Sequence, residues 1–246
     1  LPWFNNTTPF LFAILLNIFN IFIFFTLLLE TKKTNTVNTA FFKQLGLAFK
    51  HRTIKWMLLS FFLFECAWSL YFQSLNLILV TIFHFPKHML GIFSLYIGII
   101  LSLGLIYLVR AVVTRFSLAK TILNSQIIIG LSFLGLLILP FLAAQWVFAT
   151  SIALAVALLY ACLIAKISDE APAQSQGFIL GLTDGILALA FAITGFLSGA
   201  LTYFDIHLPS IVCVICMGLA ALISLLSTAF ANTSAVPNNT TLINKP

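Results

Sequence analysis

"QGFILGLTDGILALAFAITGFLSGALTY", residues 176–203, carries a single charged residue, Asp184, in a run of apolar and small side chains. An α-helix needs ~20 such residues to cross a bilayer, and this run exceeds that. Several similar runs follow one another along the chain. Hydrophobic residues make up 61% of the 246 residues and charged residues only 7%, against about 25% in soluble domains. A soluble protein of this composition would have to expose a largely apolar surface. The solvent of this chain is therefore lipid, and the expected fold is an all-α polytopic transmembrane bundle. A β-barrel would show short alternating segments instead.

Working outward, seven spans are read at about 9–29, 54–80, 89–109, 118–139, 143–165, 176–203 and 208–231. The expected organisation is one helix in 1–29, a linker over 30–53, six helices over 54–231 and a tail over 232–246. In the linker, Phe41, Phe42, Leu45 and Phe49 recur near helical spacing among Lys43, Lys50 and Arg52, which predicts a short helix lying in the membrane interface. The tail is rich in Asn, Thr and Pro and is expected to be disordered.

The basic balance, 12 Lys+Arg against 6 Asp+Glu, marks topology rather than a nucleic-acid partner. Counted over alternate connections, the basic residues gather on one side and leave Lys87 alone on the other. The positive-inside rule then puts the linker and C-terminus in the cytoplasm and the N-terminus outside. The chain opens at Leu1 without a basic n-region or a cleavage site. With an odd number of spans, it is expected to be a fragment of a longer protein.

Two acids fall inside spans: Asp184, and Glu65 in "FLFECAWSLYFQ" (62–73). An ionised acid at mid-bilayer costs ~2.5–3.5 kcal/mol on insertion scales, so both must face protein or a wet cavity. At about 100° per residue, Ser69, Gln73 and Asn76 fall within a quarter turn of Glu65, with Trp68 on the flank. This stripe predicts a lining for an aqueous path. Glu65 would there exchange a proton or attract a cationic substrate, with Trp68, Tyr71 or Phe72 adding cation–π contact. In the competing reading Glu65 hydrogen-bonds a neighbouring helix in a purely structural role. Asp184 is a second candidate, with Thr183 beside it as a possible partner. No Lys or Arg lies mid-span to pair with either acid.

The glycines are spaced by four: Gly177, Gly181 and Gly185, then Gly195 and Gly199. Ser94, Gly98 and Ser102 repeat the spacing in the third span. Such stripes let helix backbones approach closely. Cys213 and Cys216 have CxxC spacing without a second pair and read as lipid-facing filler. His84 and His88 sit in a short connection and read as loop residues. No metal or other cofactor is expected. No catalytic triad or phosphate-binding glycine loop is present, so the chain is not read as an enzyme.

The order of one span, a basic linker with a surface helix and six further spans resembles the second half of a major facilitator superfamily transporter. Local strings carry the same resemblance. "PFLFAILLNIFNIFIFFTLLLETKK" (9–33) is similar to the segment closing the N-terminal half of drug exporters in that superfamily. "APAQSQGFILGLTDGILALAFAITGFLSGALTYF" (171–204) resembles the loop and eleventh helix of tetracycline-resistance-type exporters, with Gln176, Gly177 and Gly181 in their pattern. "TRFSLAK" (114–120) sits where the superfamily repeats its basic loop motif, with Arg115 and Lys120 in place but without the acid and glycine.

The resemblance implies that the span holding Glu65 is a seventh helix bordering a central cavity. It implies that the third and sixth spans are the eighth and eleventh helices, which pack along the seam between halves. The implied function is proton-coupled export of small amphiphilic or cationic compounds across a bacterial inner membrane. The implied partners are the lipid bilayer, protons, a small-molecule substrate and a missing N-terminal half, without which the chain is not expected to transport. The alternatives are a proton-coupled metabolite symporter, which would more often show paired basic residues mid-span, and a non-transporting scaffold, which needs no polar stripe around Glu65.

Overall fold

The computed structural model describes residues 8–27, 52–139, 141–171 and 175–234, and all regular structure among them is helical. α1 (Thr8–Leu27) belongs to a unit of its own. Its Asn17 Nδ2 donates to the Ala13 carbonyl at 2.8 Å and its Thr26 hydroxyl to the Phe22 carbonyl at 2.8 Å. Both polar side chains are thus satisfied inside the helix, which is how hydroxyls and amides survive in apolar runs. The interfacial helix expected in the linker, and the tail beyond Ser234, lie outside the described residues.

The second unit holds the remaining helices. α2 is Arg52–Thr81. The next span runs from α3 (Lys87–Leu103) through a π-helical turn (Gly104–Leu108) into α4 (Val109–Val113). α5 is Leu118–Ile138, α6 Leu142–Glu170, α7 Gln176–Phe204 and α8 Leu208–Ser234. Six helices of this unit are long and apolar enough to cross a membrane, and α1 is an apolar helix of 20 residues. The third and fifth spans overrun their expected ends, reaching Val113 and Glu170. Asn232–Ser234 continue α8 and are not tail.

Local chemistry sets the breaks. Pro86 stands at the N-cap of α3 with φ −66° and ψ 152°, a conformation its ring favours and a helix interior would not tolerate. Leu139, which precedes Pro140, caps α5 with φ −115° and ψ 75°, because a following proline disfavours the helical region. After α2, His84 takes the left-handed region at φ 52° and the Phe85 N–H reaches back to the Leu79 carbonyl at 3.1 Å. A non-glycine residue there is strained.

α2 is the hub, packing most extensively on α7 and α8, while α5 packs on α6 and α8, and α3 on α6. The core is apolar and close-fitting. Phe61, Phe64, Leu70 and Leu79 of α2, Phe133 of α5, Ile152 and Leu159 of α6 and Cys213 and Met217 of α8 are all essentially inaccessible. Tyr71 packs against Phe133 with ring centroids 5.2 Å apart and the ring planes tilted by 56°. Cys213 is fully buried and its thiol donates to the Ala67 carbonyl at 3.2 Å, so it is a contact between α2 and α8 and not lipid-facing filler. Helices also approach closely at the π-helical turn, where a Cβ on Gly104 would stand 2.9 Å from the Ala157 Cβ of α6.

Candidate transport site

Glu65 sits midway along α2 and is 1% exposed. No described hydrogen bond or basic residue holds its carboxyl group. The rest of the stripe divides. Ser69 is fully buried, and its hydroxyl lies 2.7 Å from the Thr194 hydroxyl of α7. Gln73 Nε2 donates to the same Thr194 oxygen at 2.9 Å, and Thr194 donates to the Ala190 carbonyl at 2.8 Å. A Cβ on Gly195 would come within 2.9 Å of Gln73 Oε1, so the absence of a side chain there is what admits the amide. Ser69 and Gln73 therefore knit α2 to α7 in this conformation, whereas Asn76 is exposed. Trp68 is half-buried and forms an aromatic file with Tyr71 and Phe72, at centroid distances of 6.2 and 5.8 Å. Phe72 is exposed at the outer side of this file.

Asp184 lies on α7 and is exposed. Thr183 is not its partner: that hydroxyl is buried and donates to the Leu180 carbonyl of its own helix at 2.7 Å. Tyr160 of α6 packs its ring 6.1 Å from that of Phe61, one turn before Glu65 on α2. The structure thus places Tyr160 of α6 beside the stretch of α2 that carries Glu65. Sequence reasoning missed Tyr160. Its signal was a lone phenol in the apolar run "SIALAVALLYACLIAK" (151–166), which hydropathy scores as apolar.

A second buried polar group also went unread. Gln126 Nε2 of α5 donates to Ser60 Oγ at 2.8 Å, and Ser60 Oγ lies 3.1 Å from Ser224 Oγ of α8. The polar trio "NSQ" at 124–126 inside the fourth span was the available sign.

The small-residue stripes take different positions. Gly98, Gly177, Gly181, Gly185 and Gly199 meet open space, with no atom within 4 Å of a built Cβ. Ser102 is exposed and donates to the Gly98 carbonyl at 2.8 Å, and Ser94 is half-buried. Arg115 and Lys120 are exposed on either side of the turn leading into α5. Among the described residues no group of three or more His, Cys, Asp or Glu side chains is placed to hold a metal ion.

A search of curated proteins found no match to the chain. The sequence profile of the Major Facilitator Superfamily matches residues 1–195, which takes in α1, the linker and the helices bearing Glu65, Tyr160 and Asp184. The chain therefore belongs to the Major Facilitator Superfamily of secondary transporters and is a multi-pass membrane protein.

Proposed function

We propose that this chain is the C-terminal part of a proton-coupled exporter of small amphiphilic or cationic compounds, and that Glu65 is its exchange site. The observation that carries this reading is a carboxyl group, 1% exposed, with no cation or hydrogen-bond donor assigned to it among the described residues. A buried carboxylate without a partner is costly to leave charged. Either a proton or a cationic substrate must neutralise it, and competition between the two couples one to the other. Asp184, exposed on α7, supplies a second acid on the route. Trp68 and Phe72 offer aromatic faces to a cation.

The open glycine faces of α3 and α7 support docking of an N-terminal half there, since stripes without side chains suit close helix approach. In this reading the eleven basic residues on one side are cytoplasmic, and the membrane is a bacterial inner membrane. The test is Glu65→Gln in the full-length protein, reconstituted in vesicles with an imposed pH gradient. Gradient-driven transport is expected to fall at least tenfold. Unchanged rates at every pH would remove Glu65 from the coupling.

A further inference from the structure

One end of the second unit carries a feature outside the candidate transport site. Here the start of α2, the start of α5, the end of α6 and the end of α8 surround a narrow crevice. Its walls include Trp56, Met57, Ile122 and Lys166, with the hydroxyls of Ser60 and Ser224 below. Those hydroxyls are engaged with each other and with Gln126, so the group left to recruit a ligand is Lys166. It is half-buried and forms no ion pair among the described residues. Asp169 and Glu170 follow it on the same helix but are exposed and unpaired with it.

Lys166 is not the only cation present. Lys55 Nζ stands 6.0 Å from the centre of the Trp56 ring, and exposed Lys120 follows Ala119 of the crevice wall. The α5 N-terminus adds the positive end of its backbone dipole. The opposite end of the same helices also has a crevice, lined by Tyr71, Gln145, His207 and Ser210 among apolar side chains, and it contains no Lys or Arg. Of the two crevices, only this one has a Lys or Arg in its lining.

We propose that the mouth of this crevice, whose interior of about 10 Å³ admits no more than a water molecule, holds the phosphate of an anionic phospholipid against Lys166. Lys166 is the charge partner, Lys55 flanks it, and Trp56 lies at headgroup level, where an amphipathic ring is favoured. A half-buried ammonium between helices at the basic end of a membrane bundle is suited to a lipid headgroup. Apolar walls beside it suit the adjoining chain better than a freely hydrated anion.

The experiment compares detergent-solubilised wild-type protein with Lys166→Gln, Lys166→Arg and, at the opposite end, Lys87→Gln. Binding of phosphatidylglycerol, phosphatidylcholine and inorganic phosphate is followed by native mass spectrometry and thermal unfolding. Wild type, Lys166→Arg and Lys87→Gln are expected to retain phosphatidylglycerol in preference to phosphatidylcholine. Lys166→Gln should lower its affinity about fivefold, the loss of one cation near a membrane surface. Equal retention by wild type and Lys166→Gln would overturn the proposal. So would a phosphatidylcholine response equal to that of phosphatidylglycerol. An effect reproduced by inorganic phosphate would assign the crevice to a free anion and overturn the lipid assignment.

Discussion

α6 and α7 are both helices of 29 residues, both strongly apolar, and they follow one another in the chain. Yet 56% of the most apolar window of α6 is buried and only 22% of that of α7. The small residues of α6 are where helices meet: Ala149, Ala153 and Ala157 are buried, and Ala157 abuts the π-helical turn at Gly104. The glycines of α7 at 177, 181, 185 and 199 point into open space, and Phe196 beside them is 81% exposed. Small residues at spacings of four therefore mark permitted approach, which the α6 alanines make within this unit and the α7 glycines, among the described residues, do not. In hydrocarbon, lipid tails are as apolar as leucine, so contact is decided by packing and hydrogen bonds rather than hydropathy.

Stability measurements in detergent can break this comparison. The largest effect is expected from Leu159→Ala in α6, which empties a fully buried site at a cost of about 2–5 kcal/mol. Leu189→Ala in α7, at a side chain 53% exposed, should stay within about 0.5 kcal/mol. Equal losses would mean that the two helices are not differently packed.

Next, Gly104→Val should cost about 1–3 kcal/mol by overpacking against Ala157, read as a lower denaturant midpoint. Thr194→Val removes the hydroxyl that ties α7 to both Ser69 and Gln73 of α2 and should cost roughly 0.6–1.7 kcal/mol, the range of interhelical hydrogen bonds in membranes. A loss matched by Ser69→Ala, with no further loss in the double variant, would confirm the pair as one unit.

The smallest effect sharpens the contrast by its sign. Gly181→Ala should stabilise the chain by up to about 1 kcal/mol, because nothing opposes the Cβ and alanine favours the helix. In the full-length protein the same change should slow transport if a second half packs there. Stabilisation with unaltered transport would count against that docking.

The sequence by itself determined that this is a membrane bundle, where its spans lie to within a few residues, and that one acid sits at the middle of α2. Each follows from composition and run length, which report the cost of placing a segment in hydrocarbon. Only the tertiary structure decided which faces are buried. It placed Ser69 and Gln73 against Thr194, set Tyr160 against Phe61 one turn from Glu65, buried Cys213 and joined Ser60, Gln126 and Ser224. Hydropathy separates hydrocarbon from water but not lipid from protein, so partners on other helices are invisible to it. They are fixed by which side chains happen to meet when the helices pack.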